Sequence, residues 1–419
     1  MGITASTVTL HVPISSKVGN ILNNAAKDAT EHLLTFAVNT GKSFEEQNSP
    51  DITTELDDEM ANLRGAQKWL AQQDSTFARQ SLIDLTLSLY SYLAFRNLWF
   101  DLYEWSDDAV MVSSSIESNP CEVLLIRGRA AENLGRWQQA LEDYTRAATE
   151  CEQLGEDLFA QALFALGRLR LNRGDYAPAL NNLKRCQEIC ERRKNTDLLW
   201  QVKYELAAYY YLNHQDMVRA EQGYRELAQL GEQVQNNVIQ QNSLLMLGVL
   251  YRKERRYKQA EDFLLASIEA SKHEEGHTAW ANQHLGWLYM NQGRLSEARK
   301  AAEQSTHWYE KINHIRGVSD CYELRGMVSL AEGNLVSAEI DLEHSLQIRR
   351  NIGNLHGAAS NIRRLGIINF RRSNVIQGLR HIRESFGIYK SLDILTLQRV
   401  IAVIRETLAW TIGKDRWTT

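Results

Sequence analysis

The stretch LLMLGVLYRKERRYKQAEDFL (residues 244–264) decides the fold, because its pattern recurs along the chain. Leu244, Leu247, Gly248 and Tyr251 fall at helical spacing, and Tyr257, Ala260 and Leu264 do so again after the charged KERR segment. The reading is two amphipathic helices around a turn. The glycine slot is filled again at Gly128, Gly167, Gly286, Gly326 and Gly366, with Ala208 in one unit. Twelve residues further on sits a small residue each time: Ala140, Ala179, Ala220, Ala260, Ala298, Ala338 and Gly378, spaced by 38 to 41 residues. Small side chains at two fixed slots let neighbouring helix backbones approach, and a larger one would overpack the contact by ~1–3 kcal/mol. A fixed period of this length is the signature of stacked repeats.

Composition agrees. The 419 residues include only four prolines, which favours long uninterrupted helices, and 44% hydrophobic with 24% charged residues is a folded composition. A net charge of −5 without a basic block argues against nonspecific nucleic-acid binding. No apolar run approaches the ~18 residues of a membrane span, and the first twenty residues lack a signal-peptide pattern. Five scattered cysteines suit reduced thiols and a cytoplasmic location.

The repeated phrase resembles the tetratricopeptide repeat, whose W-x2-L-G-x2-Y…A-x3-F signature has a period of about 34 residues. Leu244, Leu247, Gly248, Tyr251, Tyr257, Ala260 and Leu264 match it except for the leading tryptophan, and Leu285, Gly286, Tyr289, Leu295 and Ala298 match again. The longer period and the missing terminal proline depart from the family pattern, and are similar to the long repeats of kinesin light chains and polarity adaptors. The resemblance implies an all-α, right-handed α-solenoid of about eight helix hairpins with terminal capping helices. Units are expected near 83–118, 121–154, 160–193, 201–234, 241–274, 279–312, 319–352 and 359–392.

Outside the array (83–392), residues 1–23 are expected to be poorly ordered, with STVTLHVPI (6–14) alternating like a short strand. Residues 24–82 are expected to form a helical cap. Within it Glu59, Asn62, Leu63, Ala66 and Trp69 resemble the phrase that joins core to sensor in multidomain signalling ATPases of the STAND type, although no ATPase core precedes it. Residues 393–419 are expected to hold a capping helix and tail. Val400, Ile401, Val403, Ile404 and Leu408 wrap around that helix, so it either closes the last repeat or contacts a partner or a second copy of the chain.

Three motifs look chemical. NTGKS (39–43) lacks the glycine and the buried strand of a phosphate loop, and reads as the stop of a helix. HEEGH (273–277) satisfies H-E-x-x-H, but the repeat register puts Gly276 in a turn, so the histidines should not share a helical face. Cys186 and Cys190 lie four apart, which fits half a metal site, but Cys186 occupies a small-residue slot and packing explains it. No catalytic set, metal or cofactor is expected, and the chain is read as non-catalytic.

In the family, the first helix of each pair lines a concave groove. Carried over by register, the resemblance places Arg129 and Asn133, then Arg168 and Asn172, then Tyr209 and Asn213 in that groove. Further on come Arg252, then Trp280, Trp287 and Asn291, then Asp320 and Glu323, and finally Arg363 and Arg364. The recurring asparagine offers a donor and an acceptor together, which suits a peptide backbone; it also suits a helix end. The chaperone-type carboxylate clamp is not matched, because Leu125 and Arg129 stand where it needs lysine and asparagine. The expected function is a non-catalytic protein–protein interaction scaffold that binds a protein or peptide segment in its groove. The alternative is a regulatory sensor for a small peptide or metabolite.

Overall fold

The computed structural model describes residues 16–47, 50–113, 120–213, 216–271, 274–312, 314–392 and 397–411. The strand-like segment 6–14 lies outside them. The regular structure among the described residues is helical throughout. The first helices are α1 (Ser16–Gln47), α2 (Pro50–Ala71), α3 (Thr76–Phe95) and α4 (Trp99–Ser113). Seven hairpins follow: α5 (Cys121–Asn133) with α6 (Trp137–Cys151), α7 (Glu156–Arg173) with α8 (Tyr176–Arg193), and α9 (Thr196–Asn213) with α10 (Met217–Gln233). Next are α11 (Asn237–Lys253) with α12 (Tyr257–Ala270), and α13 (Glu275–Asn291) with α14 (Leu295–Lys311). The last are α15 (Ile315–Ala331) with α16 (Leu335–Asn351), α17 (Leu355–Arg371) with α18 (Val375–Ser391), and a closing α19 (Leu397–Thr411).

By contacts, the described residues up to Tyr92 and those from Asp108 to Ser113 form one compact unit; residues 93–107 and those from Pro120 onward form a second. In the first, Leu63, Ala66 and Leu70 of α2 are buried on one face, and the Tyr92 hydroxyl donates to Asp57 at 2.6 Å. Here the expected stop at NTGKS is corrected: α1 runs on to Gln47. Gly41 ends nothing; it lets α1 approach α3, where an added Cβ would lie 2.2 Å from the Ser88 carbonyl oxygen.

The second unit is the solenoid. From α5 to α18 each helix packs on the next in the chain, α19 packs on α17, and the first helices of consecutive hairpins also touch (α5 with α7, α7 with α9, α11 with α13, α13 with α15). That second set of contacts puts the first helices on the inner side of the curvature. The small slots work as their spacing implies. Ala140, Ala179, Ala220, Ala260, Ala298 and Ala338 are fully buried, and a Cβ on Gly128, Gly248 or Gly326 would meet Tyr144, Leu264 or Leu342 at 2.5, 2.6 and 2.8 Å. A recurring backbone bond adds to the stacking. Ser267, Ser305 and Ser345 of the second helices donate to the carbonyls of Gln241, Ala279 and Ser319 of the first, at 2.6–2.8 Å. Cys186 holds the same slot, its thiol donating to the Ala160 carbonyl at 3.1 Å.

Reduced thiols throughout are corrected at one pair. Cys121 and Cys151 form a disulfide, with Cα atoms 5.9 Å apart. They are the first residue of α5 and the last of α6, which an antiparallel hairpin lays side by side. Cys186, Cys190 and Cys321 are free and buried. At the far end Val403 and Trp410 of α19 pack on the solenoid, while Ile401, Ile404 and Leu408 remain exposed.

Candidate functional site: the inner face of the solenoid

The inner face is built by the first helices, and its charges fall into three groups. In the early part, Glu132 of α5 accepts from Arg168 of α7 at 2.8 Å and from the Tyr144 hydroxyl at 3.2 Å. Burial pulls the Arg168 guanidinium down, but Glu132, Tyr144 and Glu205 outweigh it and hold it above its ordinary value. Glu205 of α9 is pushed up to about 7 by burial, reinforced by Glu132 and opposed by Arg168 and Arg129.

In the late part, Arg349 of α16 crosses to the first helices. It donates to Asp320 at 2.6 Å, to Glu323, to Asn361 at 2.9 Å and to the Gly357 carbonyl at 2.9 Å. Glu323 also pairs with Arg364, and Arg363 pairs with Glu406 of α19 at 2.9 Å. The two arginines expected to face a partner are therefore held by carboxylates of the chain itself.

The middle is different. Arg252 and Lys253, the last two residues of α11, form no ion pair among the described residues. Lys253 is exposed; its ammonium sits over the Tyr211 ring at 4.4 Å, and partial desolvation there, with Arg252 adjoining, lowers it below the ordinary lysine value. Burial lowers Arg252 likewise. His284 of α13 is pushed down to about 3 by burial, with Arg252 and His277 adding, so it is neutral at physiological pH. The Arg252 Nε, the Tyr211 hydroxyl and the His284 Nδ1 are buried without a hydrogen-bond partner. Trp280 packs beside His284, ring centroids 5.9 Å apart, and Trp287 is half-buried one turn on.

The recurring asparagines divide their two ends. The Asn133 amide donates to the Arg129 carbonyl at 2.9 Å, and Asn213 donates to the Tyr209 hydroxyl at 2.8 Å. Asn291, with its amide turned to satisfy both ends, donates to the Trp287 carbonyl at 3.2 Å and accepts from Arg252 at 3.0 Å. Three of the four thus spend the NH₂ on the residue one turn earlier. Asn172 is exposed. Sequence register reached Arg252, Trp280, Trp287 and Asn291 but passed over His284 and Tyr211. His284 lies on the same helix as Trp280, one turn on, and that spacing was the available signal.

The other motifs recede. Glu274 caps α13, accepting from the amides of Gly276 and His277 at 3.0 and 2.9 Å, so Gly276 stands in the first helical turn, not between units. His277 is hydrogen-bonded to Ser267 at 2.6 Å, and His273 lies outside the described residues. Among the described residues no group of three or more His, Cys, Asp or Glu side chains is placed to hold a metal, and no helix is long and apolar enough to cross a membrane.

Helix hairpins with buried small slots, stacked into a solenoid with a polar inner face, define a tetratricopeptide-type α-solenoid. The sequence agrees in part: residues 243–278 and 281–311 match two tetratricopeptide-repeat family profiles, so that segment carries tetratricopeptide repeats. No curated protein matches the sequence. Among solved structures, a Rap protein complexed with Competence and Sporulation Factor is similar, with TM-score 0.56 and 13% identity over 88% of this chain and 99% of that one. The apo quorum sensor NprR from B. thuringiensis gives 0.51 and 15%, again over 88% and 99%. A signal transduction ATPase with numerous domains and a tetratricopeptide repeat sensor, from Pyrococcus horikoshii, gives 0.46 and 13% over 83% of this chain and 55% of that one.

Proposed function

We propose that the chain is a non-catalytic interaction protein that binds an extended protein or peptide segment along the inner face of its solenoid. One observation carries the reading: hydrogen-bonding capacity there is left unspent. Buried polar atoms normally find partners, and an unmade bond costs about 1–3 kcal/mol. Yet the Arg252 Nε, Tyr211 hydroxyl and His284 Nδ1 have none, beside two half-buried tryptophans. Arginine and aromatic residues also dominate binding hot spots. Two solved structures of the same fold, entitled as a complex with Competence and Sporulation Factor and as a quorum sensor, are consistent with a ligand on such a face.

The test is selection of random dodecapeptides on the immobilised full chain, followed by fluorescence anisotropy. A recurrent sequence pattern should emerge, and Arg129→Ala combined with Asn172→Ala should weaken binding tenfold or more with little change in melting temperature. No enriched pattern, or equal affinity in the double variant, removes the reading.

A regulatory sensor is favoured by a second observation. The α5–α6 turn meets the α16–α17 turn: Trp137 stacks on His356 at 6.3 Å, and Arg316 donates to Asn133 at 3.4 Å. A contact between distant repeats is a place where a ligand can shift a two-state equilibrium. Dyes at Gln138 and Leu355 should change transfer efficiency when a selected peptide is added; constant transfer leaves a passive scaffold.

A further inference from the structure

Four guanidiniums flanking the middle of the inner face meet carboxylates: Arg168 meets Glu132, Arg349 meets Asp320 and Glu323, Arg364 meets Glu323, and Arg363 meets Glu406. Arg252 and Lys253 break that pattern. They are adjacent in sequence, both lie against the inner face, and neither forms an ion pair among the described residues. Arg252 is half-buried and Lys253 is exposed beside it; desolvating even one guanidinium without a counter-charge is costly, and native structures normally supply the counter-charge. What surrounds them cannot do so. Tyr211 offers a ring and a hydroxyl, His284 a neutral imidazole, and Asn291 a single carbonyl oxygen.

The geometry points to an anion site formed by Arg252, Lys253, Tyr211 and His284, which takes a carboxylate of the bound segment. This rests on the peptide reading above. The Asn291 oxygen already holds one Arg252 Nη, 3.0 Å away, and that orients the guanidinium while its buried Nε stays unused. A carboxylate is the planar acceptor that a guanidinium edge binds through two parallel N–H···O bonds, and the lysine adds a point charge. The Tyr211 hydroxyl and the His284 Nδ1, buried beside it without partners, supply further neutral hydrogen bonds once the side chains shift to expose them. The carboxylate comes either from the C-terminus of a peptide or from an Asp or Glu side chain within it.

Two measurements on the full chain separate this site from the peptide reading. The first is a titration of the indole ¹⁵N–¹H resonances of Trp280 and Trp287, assigned through Trp→Phe variants, with N-acetylglycine, with its neutral amide and with inorganic phosphate. N-acetylglycine should shift both resonances saturably, and the amide should not. Arg252→Gln should weaken the response at least tenfold, whereas Arg252→Lys, which keeps the charge, should retain part of it and guards against a folding defect. Equal response to acid and amide, an unaltered response in Arg252→Gln, no saturable response, or tighter binding of phosphate than of N-acetylglycine overturns the carboxylate site.

The second compares hexapeptide libraries with a free or an amidated C-terminus. Binding confined to the free acids assigns a terminal carboxylate. Binding by both, with Asp or Glu enriched at one position, assigns a side chain. If both libraries bind without preference for an acid, the carboxylate inference fails while the peptide reading stands. If neither binds, the peptide reading fails, and the titration alone decides whether the anion site exists.

Discussion

A single methyl group separates tolerated from forbidden at the glycines of the array. At Gly248 a Cβ would lie 2.6 Å from Leu264 and 3.2 Å from the Ala260 carbonyl oxygen, and the carbonyl cannot move without the helix. Gly248→Ala should therefore lower stability by ~1–3 kcal/mol in urea denaturation, as an overpacked core contact does. Gly65, inside α2 with nothing within 4 Å of its Cβ position, is the opposite case. There an alanine should be neutral or stabilising by about 0.5–1 kcal/mol, because a helix-interior glycine is entropically costly. Equal effects at the two sites would dissociate the repeat slot from close packing. These slots were legible because a fixed spacing exposes them. The charge state of Glu205 was not, since it depends on burial and on carboxylates and guanidiniums from other units. Its folded pKa of about 7 lies above the unfolded carboxylate value, so the folded state binds the extra proton. The stability it confers is present at acid pH and is lost as pH rises from about 4.5 through 7. Glu205→Gln should gain on the wild type across that window, by on the order of 2 kcal/mol. A constant difference between pH 4.5 and 7.5 would refute the assignment.

Between helices, the array was legible as hairpins but not as ion pairs. Periodicity supplied the helices, the turns and the buried faces, because each is set within one unit. Glycines with positive φ close four of the first helices, at Gly135, Gly174, Gly293 and Gly333, and the chain adopts the same backbone at Arg255 and Ser373 without them. Arg363 and Arg364 lay in register with the groove, yet α19 and α15 each present a glutamate to them. A register cannot predict that, because the partners come from other elements. The same applies to Arg349, a second-helix residue whose guanidinium reaches Asp320 and Glu323 of α15 and the Gly357 carbonyl of α17. It ties two consecutive hairpins through buried charge. Arg349→Met should cost about 3–5 kcal/mol, the usual consequence of removing one partner of a buried pair. Adding Asp320→Asn, which leaves the Glu323–Arg364 pair in place, should recover part of it. A double-mutant cycle without coupling would show that Arg349 and Asp320 act independently.

In the solenoid unit as a whole, stability is a sum of nearest-neighbour interfaces, and such a stack should fray from its ends. One feature cuts across that expectation. Residues 134–137 and 353–357 are separated by five hairpins, yet Gly353 packs on Leu134, Gly135 approaches the Gly353 carbonyl at 3.4 Å as judged from its Cβ position, and Trp137 stacks on His356. His356 in turn lies against Tyr389 of α18 at 5.7 Å, so the contact reaches the last hairpin. Besides the Trp137–His356 pair, the contact includes Trp137 packed against the cluster of Ala359, Tyr389, Leu392 and Val403, and the Arg316–Asn133 hydrogen bond. An aromatic pair contributes ~0.5–1.5 kcal/mol beyond the area it buries, enough to set a population but not to hold the stack together. Trp137→Ala should accordingly leave the global unfolding midpoint nearly unchanged. It should also speed amide hydrogen exchange locally, in residues 353–357 and 386–390, because local opening is governed by local contacts. If exchange at those amides stayed at wild-type rates while the whole molecule lost stability, Trp137 would belong to the common core, and the contact between the two turns would carry no separate equilibrium for a ligand to shift.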